Sequence, residues 1–195
     1  MNIKTLPLGA YQTNCYLVWG EGSDTCVVID PGYEADTILD KLSQLGLTLE
    51  AILLTHGHFD HVGAVRDLAA DTGCQVYLCT EDLTLPMNLT AGKLYYTQTY
   101  AEGTQLHLAG LDISVLHTPG HTPGSVCLLI GDTLFSGDTL FSGSCGRTDL
   151  PGGSWAQMQA SLKRLSQIEA NLWVLPGHGE ATMLASEKKY NPYLH

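Results

Sequence analysis

The segment Thr55-His56-Gly57-His58-Phe59-Asp60-His61 constrains this chain more than any other, because it places four metal-binding side chains within six residues. It follows an apolar run, 51–54, and precedes a run with helical spacing, so it sits where a strand turns into a helix. Residues two apart in extended backbone point the same way, so His56 and His58 can grip one ion from a strand end. Asp60 and His61 fall on the turn and can face a neighbouring ion. A solvated turn draws on Gly, Asn and Asp and has no use for three histidines. Zinc accepts imidazole nitrogen and carboxylate oxygen, and an open coordination position separates a catalytic site from a structural one.

Three more positions share this placement at the ends of strand-like runs: His121 in HTPGHTPGS, Asp138 in FSGDTLF and His178 in LPGHG. Each is flanked by Gly or Pro, which lets backbone approach closely while the preceding strand fixes the loop.

Short β-patterned runs at 3–8, 15–19 and 25–30 are separated by turn residues and predict a sheet built from hairpins. A helix is expected over 34–45, with Ile38, Leu39, Leu42 and Leu45 on one face and Gly46 as a left-handed cap. After the 51–54 strand a second helix is expected over 62–72, ending at Gly73. The second half repeats the rhythm with strands at 75–80, 111–117, 125–130 and 133–136. A helix then starts at Ser154, where Gln157 completes a capping box and Trp155, Met158, Leu162 and Leu165 form the inner stripe. A last strand, 172–175, delivers Pro176-Gly177-His178-Gly179. The segment 187–194 reads as a short helix and tail whose Lys188, Lys189 and Tyr190 are candidate substrate contacts. No Pro- or Ser-rich linker divides the chain, which predicts a single domain over 1–195 of layered α/β class.

The chain is 44% hydrophobic and 15% charged, with 21 glycines, which is globular and loop-rich. A formal net charge of −11 would repel a phosphate backbone, so nucleic acid is not an expected partner. The six cysteines include no CxxC pair, and Cys15, Cys26, Cys79 and Cys127 lie in apolar runs, as small buried hydrophobes do. The start lacks the basic and apolar regions of a secretory signal, and the longest apolar run, 126–130, is too short to span a bilayer. A cytoplasmic protein without membrane contact is expected; oligomeric state is not readable.

Taken in order, THGHFDH, HTPGHTPGS, FSGDTLF and PGHG resemble the ligand set of the metallo-β-lactamase superfamily. That resemblance implies a four-layer αβ/βα sandwich, with His56, His58 and His121 on one ion, Asp60, His61 and His178 on a second, and Asp138 bridging both. Two divalent ions are implied, zinc first, with iron or manganese as alternatives. It further implies that Asp30 supports the ligands rather than binding metal. His117 is expected to do the same, while His107 and His195 are given no role.

Such a site lowers the pKa of a bridging water, so a metal-bridging hydroxide can attack a carbonyl with Asp60 as the catalytic residue orienting it. The stretch FSGDTLFSGSCGRTDLPGG resembles the glyoxalase II branch, which implies that Cys145, Gly146 and Arg147 help bind a small-molecule thioester such as S-lactoylglutathione. Arg147 can equally pair with Asp149, and Cys145 can equally be a packing residue. The chain departs from full-length glyoxalase II, since it stops soon after PGHG where that family continues into a helical domain contacting glutathione. Two competing readings remain: a persulfide dioxygenase with a single Fe(II), which shares the GRTD stretch, and a non-catalytic metal-binding module. The missing export signal disfavours an antibiotic-degrading β-lactamase, and the acidic balance disfavours a nuclease.

Overall fold

Period-two alternation sends the residues of the central strands alternately to the layer between the sheets and to a layer under the helices. The computed structural model describes residues 1–194; His195 lies outside the described residues. The elements run β1 (Asn2–Leu8), β2 (Thr13–Trp19), β3 (Thr25–Ile29), α1 (Ala35–Leu45), β4 (Thr48–Leu53), α2 (Phe59–Val62), α3 (Val65–Thr72) and β5 (Gln75–Cys79), followed by a 3-10 turn, Thr80–Thr84. Then come β6 (Gln98–Tyr100), β7 (Gln105–Leu108), β8 (Leu111–His117), β9 (Val126–Ile130), β10 (Thr133–Gly137), β11 (Leu140–Phe141) and β12 (Ser144–Cys145). The chain ends with α4 (Trp155–Ser166), β13 (Trp173–Pro176), β14 (Thr182–Met183) and α5 (Leu184–Tyr190).

Two six-stranded sheets result, ordered β1-β2-β3-β4-β5-β6 and β14-β13-β10-β9-β8-β7, with a small β11-β12 ribbon beside them. Tyr16, Val18, Val27, Ile29, Ala51 and Leu53 of the first sheet meet Ile113, Val115, Val126, Leu128 and Phe135 of the second in one buried cluster. The alternate residues Cys15, Leu17, Cys26, Val28 and Ile52 turn outward and pack on Ile38, Leu42, Val65 and Leu68 of α1 and α3. On the far side Cys127, Leu134 and Val174 pack on Met158, Leu162, Leu165 and Leu184 of α4 and α5. The layers are therefore helix, sheet, sheet, helix, the αβ/βα sandwich expected from the resemblance. Strands buried on both faces read as continuous apolar runs, which is why β2, β3 and β9 lack polar alternation.

The caps behave as their chemistry requires. Gly46 takes φ 68° and its N–H bonds the carbonyls of Leu42 and Ser43, and Ser154 Oγ accepts from the Gln157 amide. Several boundaries differ from expectation. The single helix expected over 62–72 is two pieces, because Gly63 abuts the Gly32 carbonyl and the Ala64 amide donates to the Pro31 carbonyl at 3.0 Å. Trp155 and Leu45, placed on inner stripes, are instead 44% and 40% exposed, each lying on the first or last turn where the helix face has rotated off the sheet. The polar strands β6, β7 and β14 were not anticipated. All six cysteines are free, five of them buried. No helix among the described residues is long and apolar enough to cross a membrane.

Candidate metal centre

The parallel pairs β3–β4 and β10–β13 aim the loops after them at the same end of the sandwich. Asp30 follows β3, Thr55 to His61 follow β4, Asp138 follows β10 and His178 follows β13, while His121 sits on the β8–β9 connection. All seven residues expected as metal donors come together there.

Four of the five imidazoles are held through Nδ1. His56 Nδ1 lies 3.1 Å from Thr55 Oγ1, His61 Nδ1 2.9 Å from Asp30 Oδ2, His121 Nδ1 2.8 Å from the Arg147 carbonyl and His178 Nδ1 3.3 Å from the Tyr11 carbonyl. Thr55 Oγ1 itself donates to Asp30 Oδ2 at 2.6 Å, so its oxygen accepts from His56. With acceptors holding a proton on Nδ1, Nε2 is the atom left to bind a metal once any second proton is displaced. His58 is the exception: its Nδ1 stands 2.8 Å from His121 Nε2.

The free donors form two groups, His56–His58–His121 and Asp60–His61–His178. In the second, His61 Nε2 and His178 Nε2 are 3.3 Å apart, His178 Nε2 and Asp60 Oδ2 3.2 Å, and His61 Nε2 and Asp60 Oδ2 3.6 Å. Two nitrogens bound to one tetrahedral zinc stand about 3.3 Å apart, so this spacing fits. Asp138 lies between the groups, Oδ1 3.5 Å from His61 Nε2 and Oδ2 3.5 Å from His121 Nε2 and 3.6 Å from His178 Nε2. Buried polar atoms normally find partners, yet His56 Nε2, His58 Nε2 and Asp138 Oδ1 have none among the described residues. Orphaned donors of borderline character facing one another fit a pair of divalent cations. Asp30 also approaches His56 and His61, but its two oxygens already accept from the Thr55 amide, the Thr55 hydroxyl and His61 Nδ1. Its oxygens are thereby engaged with the groups that hold His56 and His61 in place.

The electrostatics follow from crowding. Burial and the neighbouring His121 and His61 push His58 down to about 4, and burial with the other imidazoles holds His56 well below the usual histidine range. Burial also pulls on His61, but the carboxylates of Asp138 and Asp30 outweigh it and raise it to about 9. Burial pushes Asp60 up, yet the hydrogen bond from His178 and the charge of His61 hold it well below the carboxylate range.

Five of these donors, His58, Asp60, His121, Asp138 and His178, floor a cleft of about 560 Å³ whose walls include Tyr11, Phe59, Leu89, Phe141 and Leu150. Cys145 and Arg147 also line it. Arg147 is 61% exposed in its side chain and forks onto Asp149, Nε to Oδ1 at 2.7 Å and Nη2 to Oδ2 at 2.8 Å. Cys145 is half-buried against the α4 core layer, and burial raises its thiol. Gly146 does not line the cleft; a Cβ there would stand 1.8 Å from the Asp138 carbonyl, so its observed part is to let the loop close over Asp138. His117 reaches the Pro123 carbonyl at 2.8 Å and steadies the loop carrying His121. His107 pairs with Asp112 in solvent. Lys188 bonds the Ile168 carbonyl and Lys189 covers the Tyr190 ring, and none of the three lines the cleft.

Sequence reasoning missed the residues that hold the loops. Asn14 Nδ2 and Tyr16 Oη donate to the Pro176 carbonyl at 3.0 and 2.6 Å, and Thr13 Oγ1 donates to Asp60 Oδ2 at 3.3 Å. A Thr-Asn pair opening an apolar strand was the available signal. Asp82 gave none.

The chain belongs to the metallo-beta-lactamase superfamily, whose sequence profile matches residues 8–178. Over its whole length it is 34% identical to hydroxyacylglutathione hydrolase GloC of Haemophilus influenzae, covering 99% of that protein. Among solved structures it resembles BLEG-1 B3 metallo-beta-lactamase at TM-score 0.89 and 36% identity, covering 99% of both chains. It also resembles TTHA1623 in a di-iron-bound form at TM-score 0.88 and 41% identity, covering 98% of this chain and 100% of that one.

Proposed function

We propose that this protein is a dinuclear metal-dependent hydrolase of thioesters of the S-lactoylglutathione kind. The observation that carries the reading is the sharing of Asp138 between two donor groups, His56–His58–His121 and Asp60–His61–His178, at the floor of an open cleft. When bound, two divalent ions supply Lewis acidity and make a water molecule acidic enough to ionise near neutral pH. The chain's own part is positional. Asp60, ionised and held by Thr13 and His178, accepts a hydrogen bond from the attacking water and so orients it. Asp30, Thr55 and the Arg147 carbonyl keep imidazole lone pairs pointing inward. Phe59, Leu89, Phe141 and Leu150 offer apolar surface to an acyl or thiol chain and exclude water beside the reacting carbonyl.

A thiolate leaves with little general-acid help, and no histidine of the cluster is free to give it, which favours thioesters over esters and amides. The likeness to hydroxyacylglutathione hydrolase GloC supports the same substrate class. Arg147, at the cleft rim, is the proposed partner for a carboxylate on the thiol carrier. Six free thiols suit a reducing compartment and a cytoplasmic setting. The relative held with two irons leaves iron open as the resident metal. A single-Fe(II) persulfide dioxygenase would leave the Asp60–His61–His178 group without a task, which disfavours that reading. The test is kcat/KM on a panel of glutathione and simple alkyl thioesters after loading with zinc, iron or manganese. Thioester turnover with at least one metal is expected; none with any metal, together with oxygen uptake on a persulfide, would overturn the assignment.

A further inference from the structure

Asp82 is a carboxylate with no solvent exposure, on the 3-10 turn after β5 and outside the metal-binding motifs. Its Oδ2 accepts from the Gly57 amide at 2.7 Å and from Thr122 Oγ1 at 3.0 Å, and its Oδ1 from the Gly124 amide at 2.6 Å. Gly57 stands between His56 and His58, and Thr122 and Gly124 follow His121. One side chain therefore ties together the two loops that supply the first donor group. The two loops also meet at their bases, where the Val126 amide donates to the Thr55 carbonyl at 2.8 Å; nearer the donors, the carboxylate bonds the backbone of both.

The glycines give a second, independent sign. A Cβ on Gly124 would stand 2.7 Å from Asp82 Cγ and Oδ1, and a Cβ on Gly57 would stand 3.4 Å from Asp82 Cβ and Oδ2 and 2.9 Å from Leu94 Cδ1. The loop after His121 is thus shaped around this carboxylate, while at Gly57 the tight neighbour is Leu94. An ionised carboxylate only accepts, and here it meets three donors, so each loop is fixed in position and not merely packed. The His58 Nδ1 to His121 Nε2 distance, 2.8 Å, is the dimension this link sets.

We propose that Asp82 is a positioning residue that sets the metal affinity of the His56–His58–His121 group by joining its two loops. The proposal rests on the two-ion reading of the site. Asp82 touches neither donor atoms nor substrate; it acts through the backbone amides on either side of them. Supporting groups of this kind typically change metal affinity about 10- to 100-fold when altered. Asp82→Asn keeps the shape but turns one oxygen into a donor, so it loses the bond from the Gly57 amide or the bond from the Gly124 amide and loosens the link.

The experiment is a zinc competition titration of wild type and Asp82→Asn against a chromophoric chelator, with thermal melts of chelated and zinc-loaded protein. One of the two zinc equivalents is expected to weaken about 10- to 100-fold while the other keeps its affinity. The melting temperature gained on zinc loading should shrink accordingly. Two unchanged equivalents, or equal weakening of both, would overturn the proposal, since a purely structural residue would lower stability without selecting one ion. If Asp82→Asn does not fold, Asp82→Ser decides by the same criterion, because a single short hydroxyl cannot accept from the amides of both loops. A wild type that binds a single equivalent would reject the two-ion reading itself, and Asp82 would then be judged on that equivalent.

Discussion

Asp30 Oδ2 lies 2.9 Å from His61 Nδ1, and the same oxygen accepts from Thr55 Oγ1 at 2.6 Å. One carboxylate at the end of β3 thereby fixes two imidazoles, His61 directly and His56 through the threonine hydroxyl. Asp30 itself adopts φ 52°, a left-handed turn that Asp tolerates better than most residues and that swings the carboxylate under the cluster.

Asp30→Asn should therefore weaken metal binding without removing a ligand. The amide can keep one acceptor, but either His61 or Thr55 then faces an N–H. A loss of about 10- to 100-fold in affinity is expected in a chelator competition. Unchanged affinity would mean the imidazoles are oriented by packing alone.

Asp138→Ala should be more severe, because both donor groups face this carboxylate. Removing it leaves two cations adjacent and under-neutralised, so loss of both ions, or of activity by more than about a hundredfold, is expected. Elemental analysis of the purified variant checks this. By contrast, His107→Ala should keep full metal content, as its ring lies in solvent beside Asp112.

The pH dependence of metal loading follows from His61. In chelated protein Asp138 and Asp30 raise it to about 9 despite burial, so near neutral pH it holds a second proton that an incoming ion must displace. Apparent affinity should rise with pH and level off above about 9, with proton release visible in calorimetry run in buffers of different ionisation enthalpy. The raised pKa also means that the protonated ring stabilises the chelated fold. That contribution is complete below about 6.5 and is lost as pH rises through about 9. His58, lowered to about 4, has the opposite sign, and its contribution is lost as pH falls from about 6.5 through about 4.

Arg147 gives a substrate test. Its ion pair with Asp149 is exposed, and exposed pairs are weak, so the guanidinium can exchange Asp149 for a substrate carboxylate at little cost. Arg147→Ala is expected to raise KM for S-lactoylglutathione several-fold with a smaller effect on kcat. Thioesters lacking a carboxylate should be unaffected. Equal losses on both substrates would make Arg147 structural, acting on the loop whose carbonyl holds His121.

The layers and the seven donor candidates were legible because the candidates cluster in short motifs after apolar strands, His56 and His58 after β4, Asp138 after β10 and His178 after β13, with Asp60 and His61 on the helical turn that follows. Asn14, Tyr16 and Asp82 were not, because their partners are remote in sequence. Asp82 sits in a polar run, Thr-Glu-Asp-Leu-Thr, that reads as an ordinary turn, and its partners are 25, 40 and 42 residues away. The break between α2 and α3 has the same origin, a tertiary hydrogen bond from Ala64 to Pro31 overriding a continuous helical pattern. The strands β6 and β7 are short, polar and at sheet edges, where burial imposes little pattern.

The most direct test of the account is a metal titration of chelated protein followed simultaneously by thioester hydrolysis and bound-ion stoichiometry. Two ions per chain are predicted, with turnover rising only as the second is bound. One tightly held iron per chain, full oxygen uptake on a persulfide and no thioester cleavage would contradict it.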